Sequence, residues 1–209
     1  MNRRKLLWLA SALLYAAFVC WYTDFGGPLR PAEIEYHVER MQAWGAPPSA
    51  VGRMRTFMEN DSGRQFLMLN ALDMADSPLP VEGAEPGESA EQLMGRYMEY
   101  MYPELFKRAC HPVIFGDAVH VAMDVVGLEG VDNWDAGAML RYRSRRDLVE
   151  IASNPEMGKR HHFKVAALDK TIAFPVETRV YLGDARVLVG LLLLSLTALV
   201  DIAVYGRRG

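Results

Sequence analysis

Five histidines, His37, His111, His120, His161 and His162, are the side chains here best matched to proton transfer near neutral pH. His111 precedes Pro112 at the entrance to a predicted strand, where an imidazole could act as a general base. A turn histidine bonded to backbone is the plainer account of the same position. His161 and His162 are adjacent, so on a helix they point in different directions and do not share one metal ion easily. No His-x-x-x-His or Cys-x-x-Cys spacing occurs, so no metal site is expected. The chain also lacks a phosphate loop, a dinucleotide fingerprint and a nucleophile elbow.

The other candidate chemistry is a donor pair on a sheet. In the run Gln65–Leu72, strand alternation turns Leu67 and Leu69 toward helices and Phe66, Met68 and Asn70 to the other side. In Ala136–Tyr142, Met139 and Arg141 lie opposite Leu140 and Tyr142. Asn70 and Arg141 are thus expected to converge on one face as donors for a carbonyl or carboxylate, with Phe66, Met68 and Met139 as apolar lining. Against this stands a structural account: Arg141 pairs with an acid across a dimer interface and Asn70 satisfies a strand end. If the pair is a site, Arg141→Ala and His111→Ala leave the fold intact and remove binding or turnover. Tyr97, Tyr100 and Tyr102 with Met94, Met98 and Met101 invite a cofactor-box reading, but helical spacing spreads them around a helix, so core packing and a dimer contact are favoured. No cofactor is selected by these residues. Arg143, Arg145 and Arg146, with Asp147 and Glu150 nearby, read as a solvated, ion-paired face.

The elements that position these residues follow from periodicity and punctuation. Pro31–Trp44 and Ser49–Glu59 carry apolar residues at helical spacing around Gly45-Ala46-Pro47-Pro48, a helical hairpin. Gln65–Leu72 is a predicted strand, and Ala75–Ser89 a surface loop rich in proline, glycine and glutamate. Ser89 with Gln92 forms a capping box that opens a helix to about Ala109, kinked or divided at Pro103. Val113–Val121 and Ala136–Tyr142 read as strands. Ser144 and Asp147 cap a helix stopped by Asn154-Pro155. Lys159–Leu168 reads as a helix, and Thr171–Val176 as a strand that Pro175 puts at a sheet edge. This order predicts an α+β class: a ferredoxin-like split βαβ antiparallel sheet with helices on one face.

Apolar runs bound the polar part of the chain. Leu6–Tyr22 is 17 residues without a charge after Arg3-Arg4-Lys5, and Val187–Tyr205 is 19 residues with one charge, Asp201, before Arg207-Arg208. At about 1.5 Å per residue such runs suit a hydrocarbon core of about 30 Å. Phe18 and Val19 make a poor signal-cleavage site, so the first run is read as an uncleaved anchor. Asp201 is expected to reach the interface or to pair with Arg3, Arg4 or Arg207 rather than to handle protons. Lysine and arginine at both outer ends place both termini in the cytoplasm and the main domain outside it, periplasmic in a bacterium. Residues 23–186 hold 18 Lys+Arg against 25 Asp+Glu, a balance that argues against nucleic acid. Cys20 and Cys110 are too separate in the predicted organisation to pair. The expected organisation is an anchor at 1–22, a hairpin at 23–62, an α+β domain at 63–181 and a second anchor at 182–209.

The stretch Met139-Leu140-Arg141-Tyr142-Arg143-Ser144-Arg145-Arg146-Asp147-Leu148, followed by Asn154-Pro155, Arg160, Lys164-Val165-Ala166-Ala167 and Ile172-Ala173-Phe174-Pro175, resembles the last strand–helix–strand of dimeric α+β barrel domains. It covers roughly residues 64–177 and is most similar to an uncharacterised branch. The resemblance implies a homodimer with two sheets packed face to face. Some members are cofactor-independent monooxygenases, isomerases or haem-handling enzymes with a pocket between sheet and helices. No catalytic residue carries over.

Three functions are therefore expected in turn: a membrane-tethered module that binds a small apolar ligand or a partner, a cofactor-independent oxygenase or isomerase using Asn70, His111 or Arg141, and a structural subunit of a membrane assembly. Asn70 and Arg141 converging on a roomy apolar cavity favours the first two. A sheet face closed by Met68 and Met139 favours the third.

Overall fold

A computed structural model describes residues 2–206; Arg207 and Arg208, the second basic tail, lie outside the described residues. The chain divides into two units, Phe25–Glu177 and the combination of Met1–Asp24 with Thr178–Gly209.

The second of these units is a pair of helices, α1 (Arg3–Tyr22) and α7 (Ala185–Tyr205). Asn2 caps α1 by accepting from Arg4 N–H, and Asp184 caps α7 by accepting from Arg186 N–H. Both helices are long and apolar enough to cross a membrane. Their polar groups meet at successive levels, in antiparallel register. Arg4 donates to both carboxylate oxygens of Asp201 at 2.8 and 2.7 Å. Ser11 and Thr197 hydroxyls meet at 2.6 Å, and Tyr15 Oη donates to the Arg186 carbonyl at 3.1 Å. Gly190 lets the helices close: a Cβ there would lie 3.2 Å from the Tyr15 ring. Asp201 thus pairs with Arg4, one of the partners the sequence offers.

The Phe25–Glu177 unit is α+β. Strands β1 (Phe66–Met74), β2 (His111–Asp117), β3 (Ala136–Tyr142) and β4 (Leu168–Val176) form one antiparallel sheet in the order β2-β3-β1-β4. Helix α4 (Ala90–Lys107) connects β1 to β2, while α5 (Arg145–Ala152) and α6 (Pro155–Ala166) connect β3 to β4. Each helix start is chemically marked. Ser89 and Gln92 bond reciprocally, Ser144 accepts from Asp147 N–H, and Asn154 accepts from Glu156 N–H ahead of Pro155. α4 runs through Pro103 undivided, because Met101 and Leu105 on either side of it are both buried in the core. It ends at Ala109, a non-glycine residue at φ 55°, with Cys110 N–H on the Leu105 carbonyl and Ala109 N–H on the Phe106 carbonyl.

The main core lies between the helices and one sheet face: Leu93, Tyr97, Met101 and Leu105 of α4, Ile151 of α5 and Phe163 of α6 pack with Phe66 and Tyr142. The predicted face of β1 is therefore corrected. Phe66 and Met68 face the helices, whereas Leu67 and Leu69 face away. Both parities of Phe66-Leu67-Met68-Leu69 are apolar, so alternation carries no sign there. β2 also stops at Asp117, short of the predicted Val121, because β3 begins only at Ala136 and offers no further partner.

Helices α2 (Pro31–Ala43) and α3 (Pro48–Glu59) form a hairpin whose Ile34, Val38, Met41, Val51 and Met58 bury against Val149 of α5. The arginines at the start of α5 are ties rather than a solvated face: Arg143 pairs with Asp147, Arg145 with Asp61 and Glu177, and Arg146 with Glu33. The Arg146 guanidinium, then the Arg30 N–H, pulls the Glu33 carboxyl down from 4.5 to about 2. A folded-state value below the unfolded one stabilises above the unfolded value, and that stability is lost as pH falls from about 4.5 toward 2. Glu33→Gln is expected to flatten this part of the acid-unfolding curve, read as denaturation midpoint against pH.

Candidate functional site

The sheet face turned away from the helices carries the most distinctive surface in the Phe25–Glu177 unit. Register places Leu67, Leu69 and Ala71 of β1 beside Arg141, Met139 and Gly137 of β3 and beside Val176, Phe174 and Ile172 of β4. Ile114 of β2 pairs with Met139 after a bulge. Ile114, Phe174 and Ile172 are 55%, 49% and 40% exposed, which is high for residues on a strand face. An antiparallel sheet with one solvated face normally presents polar residues there. This one presents mainly branched and aromatic side chains, with the Asp73–Lys170 pair at one end.

The expected donor pair does not form. Asn70 pairs across the sheet with Ala138, whereas Arg141 pairs with Leu67, so the two side chains stand on opposite faces. The Asn70 amide donates to the Met68 carbonyl at 3.0 Å. Arg141 is fully buried, its Nε donating to Gln65 Oε1 and its Nη1 to the Ala109 carbonyl, each at 2.8 Å. Its donors are directed into structure. His111 is the cross-strand partner of Arg141, and its Nδ1 lies 2.9 Å from the Pro112 carbonyl. Of the three catalytic candidates the fold thus brings His111 and Arg141 together and leaves Asn70 apart. Phe66 is a core residue, stacked on Tyr142 at 5.2 Å, and Met68 packs on the same core. Met139 stands on the opposite face, so Met68 and Met139 do not line one surface.

Two further groupings join residues that the sequence did not bring together. Between α4 and α6, Lys164 Nζ sits 5.7 Å from the Tyr97 ring centre, and His161 meets the same ring edge-on. Burial pushes the Tyr97 phenol up and the Lys164 ammonium down. Tyr97 belongs to the core, while Lys164 is half-buried and His161 exposed, and no spacing rule joins the three. A surface depression is lined by Glu82, Gly83, Arg96, Lys159, Arg160 and Phe163, among others. Its cations are paired, Arg96 with Glu88, Lys159 with Glu156 and Arg160 with Glu99.

The cysteines do not pair: Cys20 is exposed on its helix and Cys110 is buried. Burial, then the Asp147 charge, pushes the Cys110 thiol up to about 12. A thiol kept neutral this way is inert. N-Ethylmaleimide at pH 8 is expected to leave Cys110 unmodified in the folded chain and to modify it after denaturation, as read by peptide mass spectrometry.

The fold is similar to that of solved structures. RPA0582, a protein of unknown function from Rhodopseudomonas palustris and a structural genomics target, matches 65% of this chain and 95% of its own at 17% identity, with a TM-score of 0.50. The methylated RPA0582 protein matches 66% of this chain and 95% of its own at 17% identity, with a TM-score of 0.52. At this identity the likeness bears on fold alone. No family model matches the chain, and no curated protein matches it.

Proposed function

We propose that the chain is a membrane-tethered interaction module that works as a homodimer. In this reading α1 and α7 cross the bilayer as an antiparallel pair, both termini are cytoplasmic, and Phe25–Glu177 is an extracytoplasmic ferredoxin-like domain paired sheet to sheet, as in dimeric α+β barrels. The order β2-β3-β1-β4, with each helical connection crossing one strand, supports the topology. Only 6% and 11% of the two apolar helix windows is buried, which suits lipid contact better than a soluble core.

One observation carries the reading: the open sheet face is apolar, with Ile114, Phe174 and Ile172 exposed around Leu69 and Met139. Contiguous apolar surface of this kind marks an interaction site. The separation of Asn70 from Arg141, and the commitment of Arg141 to Gln65 and Ala109, favour this over an enzyme or a small-ligand pocket.

The test is the molar mass of the full chain in detergent by light scattering, for wild type and Phe174→Arg. A dimer that Phe174→Arg converts to monomer is expected. A wild-type monomer, or a dimer indifferent to an arginine on that face, sinks the proposal. Impermeant thiol labelling of cysteines introduced at Ser77 and at Asn2 tests the orientation, with only the first expected to react from outside.

A further inference from the structure

The connection between β2 and β3 is an 18-residue arm, 118–135, and it is apolar where it is most exposed. Val119, Met123 and Val126 are 99%, 88% and 84% exposed, and Val121 and Leu128 also face solvent. The arm is nevertheless fixed at its base. Ala118 N–H donates to the Asp135 carbonyl and Ala122 N–H to the Asp132 carbonyl, both at 2.7 Å. Asp135 N–H reaches the Leu72 carbonyl at 2.9 Å, and Lys170 covers the Trp134 ring at 5.2 Å. A braced, ordered loop that holds five large apolar side chains in water is built for something that covers them.

We infer that the arm docks on a second copy of this chain, closing over the partner's open sheet face; this rests on the dimer proposed above. The area favours it. Four strands of about seven residues at about 4.8 Å spacing and about 3.4 Å per residue present a flat footprint of roughly 460 Å² per protomer, so bare sheets cover roughly 900 Å² in all. That falls short of the roughly 1,200–2,000 Å² of a stable interface. Each large apolar side chain of the arm adds on the order of 100 Å², which carries two reciprocal arms into that range. The arm is also continuous with the face, because Ile114 leads into it along β2 and Ala136 leads back along β3. A lipid surface is the poorer occupant. Between Arg108 and Arg141 the chain has Asp117, Asp124, Glu129, Asp132 and Asp135 and no lysine or arginine, a charge that anionic lipid repels.

The test uses the full chain in detergent, as wild type, as Phe174→Arg, and as the triple variant Val119→Ser, Met123→Ser, Val126→Ser. All three arm positions are solvent-facing, and unchanged circular dichroism checks the fold. The triple variant is expected to weaken dimerisation by at least about 100-fold. A photoreactive side chain at position 123 is expected to cross-link to β1, β3 or β4 of a second copy. A wild-type dimer that Phe174→Arg breaks but the triple variant leaves unchanged overturns the arm and spares the sheet pairing. A wild-type monomer overturns both. Cross-linking at position 123 to lipid, to detergent alone or to another protein overturns the arm.

Discussion

Arg141→Ala is expected to destabilise the Phe25–Glu177 unit by about 3–4 kcal/mol, enough to lower its urea midpoint by about 1.5 M. Read as a site residue, Arg141 was expected to be dispensable for folding; its surroundings reverse that. The side chain is fully buried, and its fork ties Gln65, just before β1, to the carbonyl of Ala109 at the end of α4. Ala109 holds a left-handed backbone that a side chain disfavours, so its carbonyl direction depends on what receives it. Truncation leaves a cavity the length of an arginine stem and a buried carbonyl without its charged donor. Arg141→Lys keeps the charge but loses the two-pronged geometry, and is expected to fall between the two. A stability for Arg141→Ala within about 0.5 kcal/mol of wild type would contradict the tie.

The second large effect belongs to Phe66, 1% exposed, stacked on Tyr142 at an interplanar angle of 6° and met edge-on by Phe57 at 5.4 Å. Phe66→Ala is expected to cost about 3–5 kcal/mol, and Phe66→Leu much less because the volume is largely kept. For a unit of this size that is roughly a 10 °C fall in melting temperature. Phe57 lies on α3, so the ring contact links the hairpin to the sheet. A double-mutant cycle of Phe57→Ala with Phe66→Ala is expected to return a coupling of about 0.5–1.5 kcal/mol. Additive losses would mean the rings are neighbours without being partners.

What could be read from the residues was local. Ser89 with Gln92, Ser144 with Asp147, and Asn154-Pro155 announce helix starts because a cap is made within three residues of itself. The apolar terminal helices and the edge position of β4 were legible for similar reasons. The facing of β1 was not, since an apolar open face makes Leu67 and Leu69 look as buried as Phe66 and Met68. That one ambiguity placed Asn70 beside Arg141 when the register sets them on opposite sides. The partners of Arg141 come from Gln65 and from a helix end 32 residues upstream, a relation no spacing rule encodes. Val119 and Val121 alternate like a strand, yet a strand needs a neighbour, and β3 supplies none beyond Ala136.

Helix α5 sits between two clusters: Ile151 and Leu148 serve the sheet-side core, while Val149 fills the centre of the hairpin's own cluster. One short helix therefore acts as a wedge shared by both. Loosening either cluster withdraws support from the other, so the α2–α3 segment is expected to unfold together with the sheet. Backbone amides of Val38 and Met58 should then exchange with deuterium through the same opening event, at the same free energy, as those of Phe66 and Tyr142.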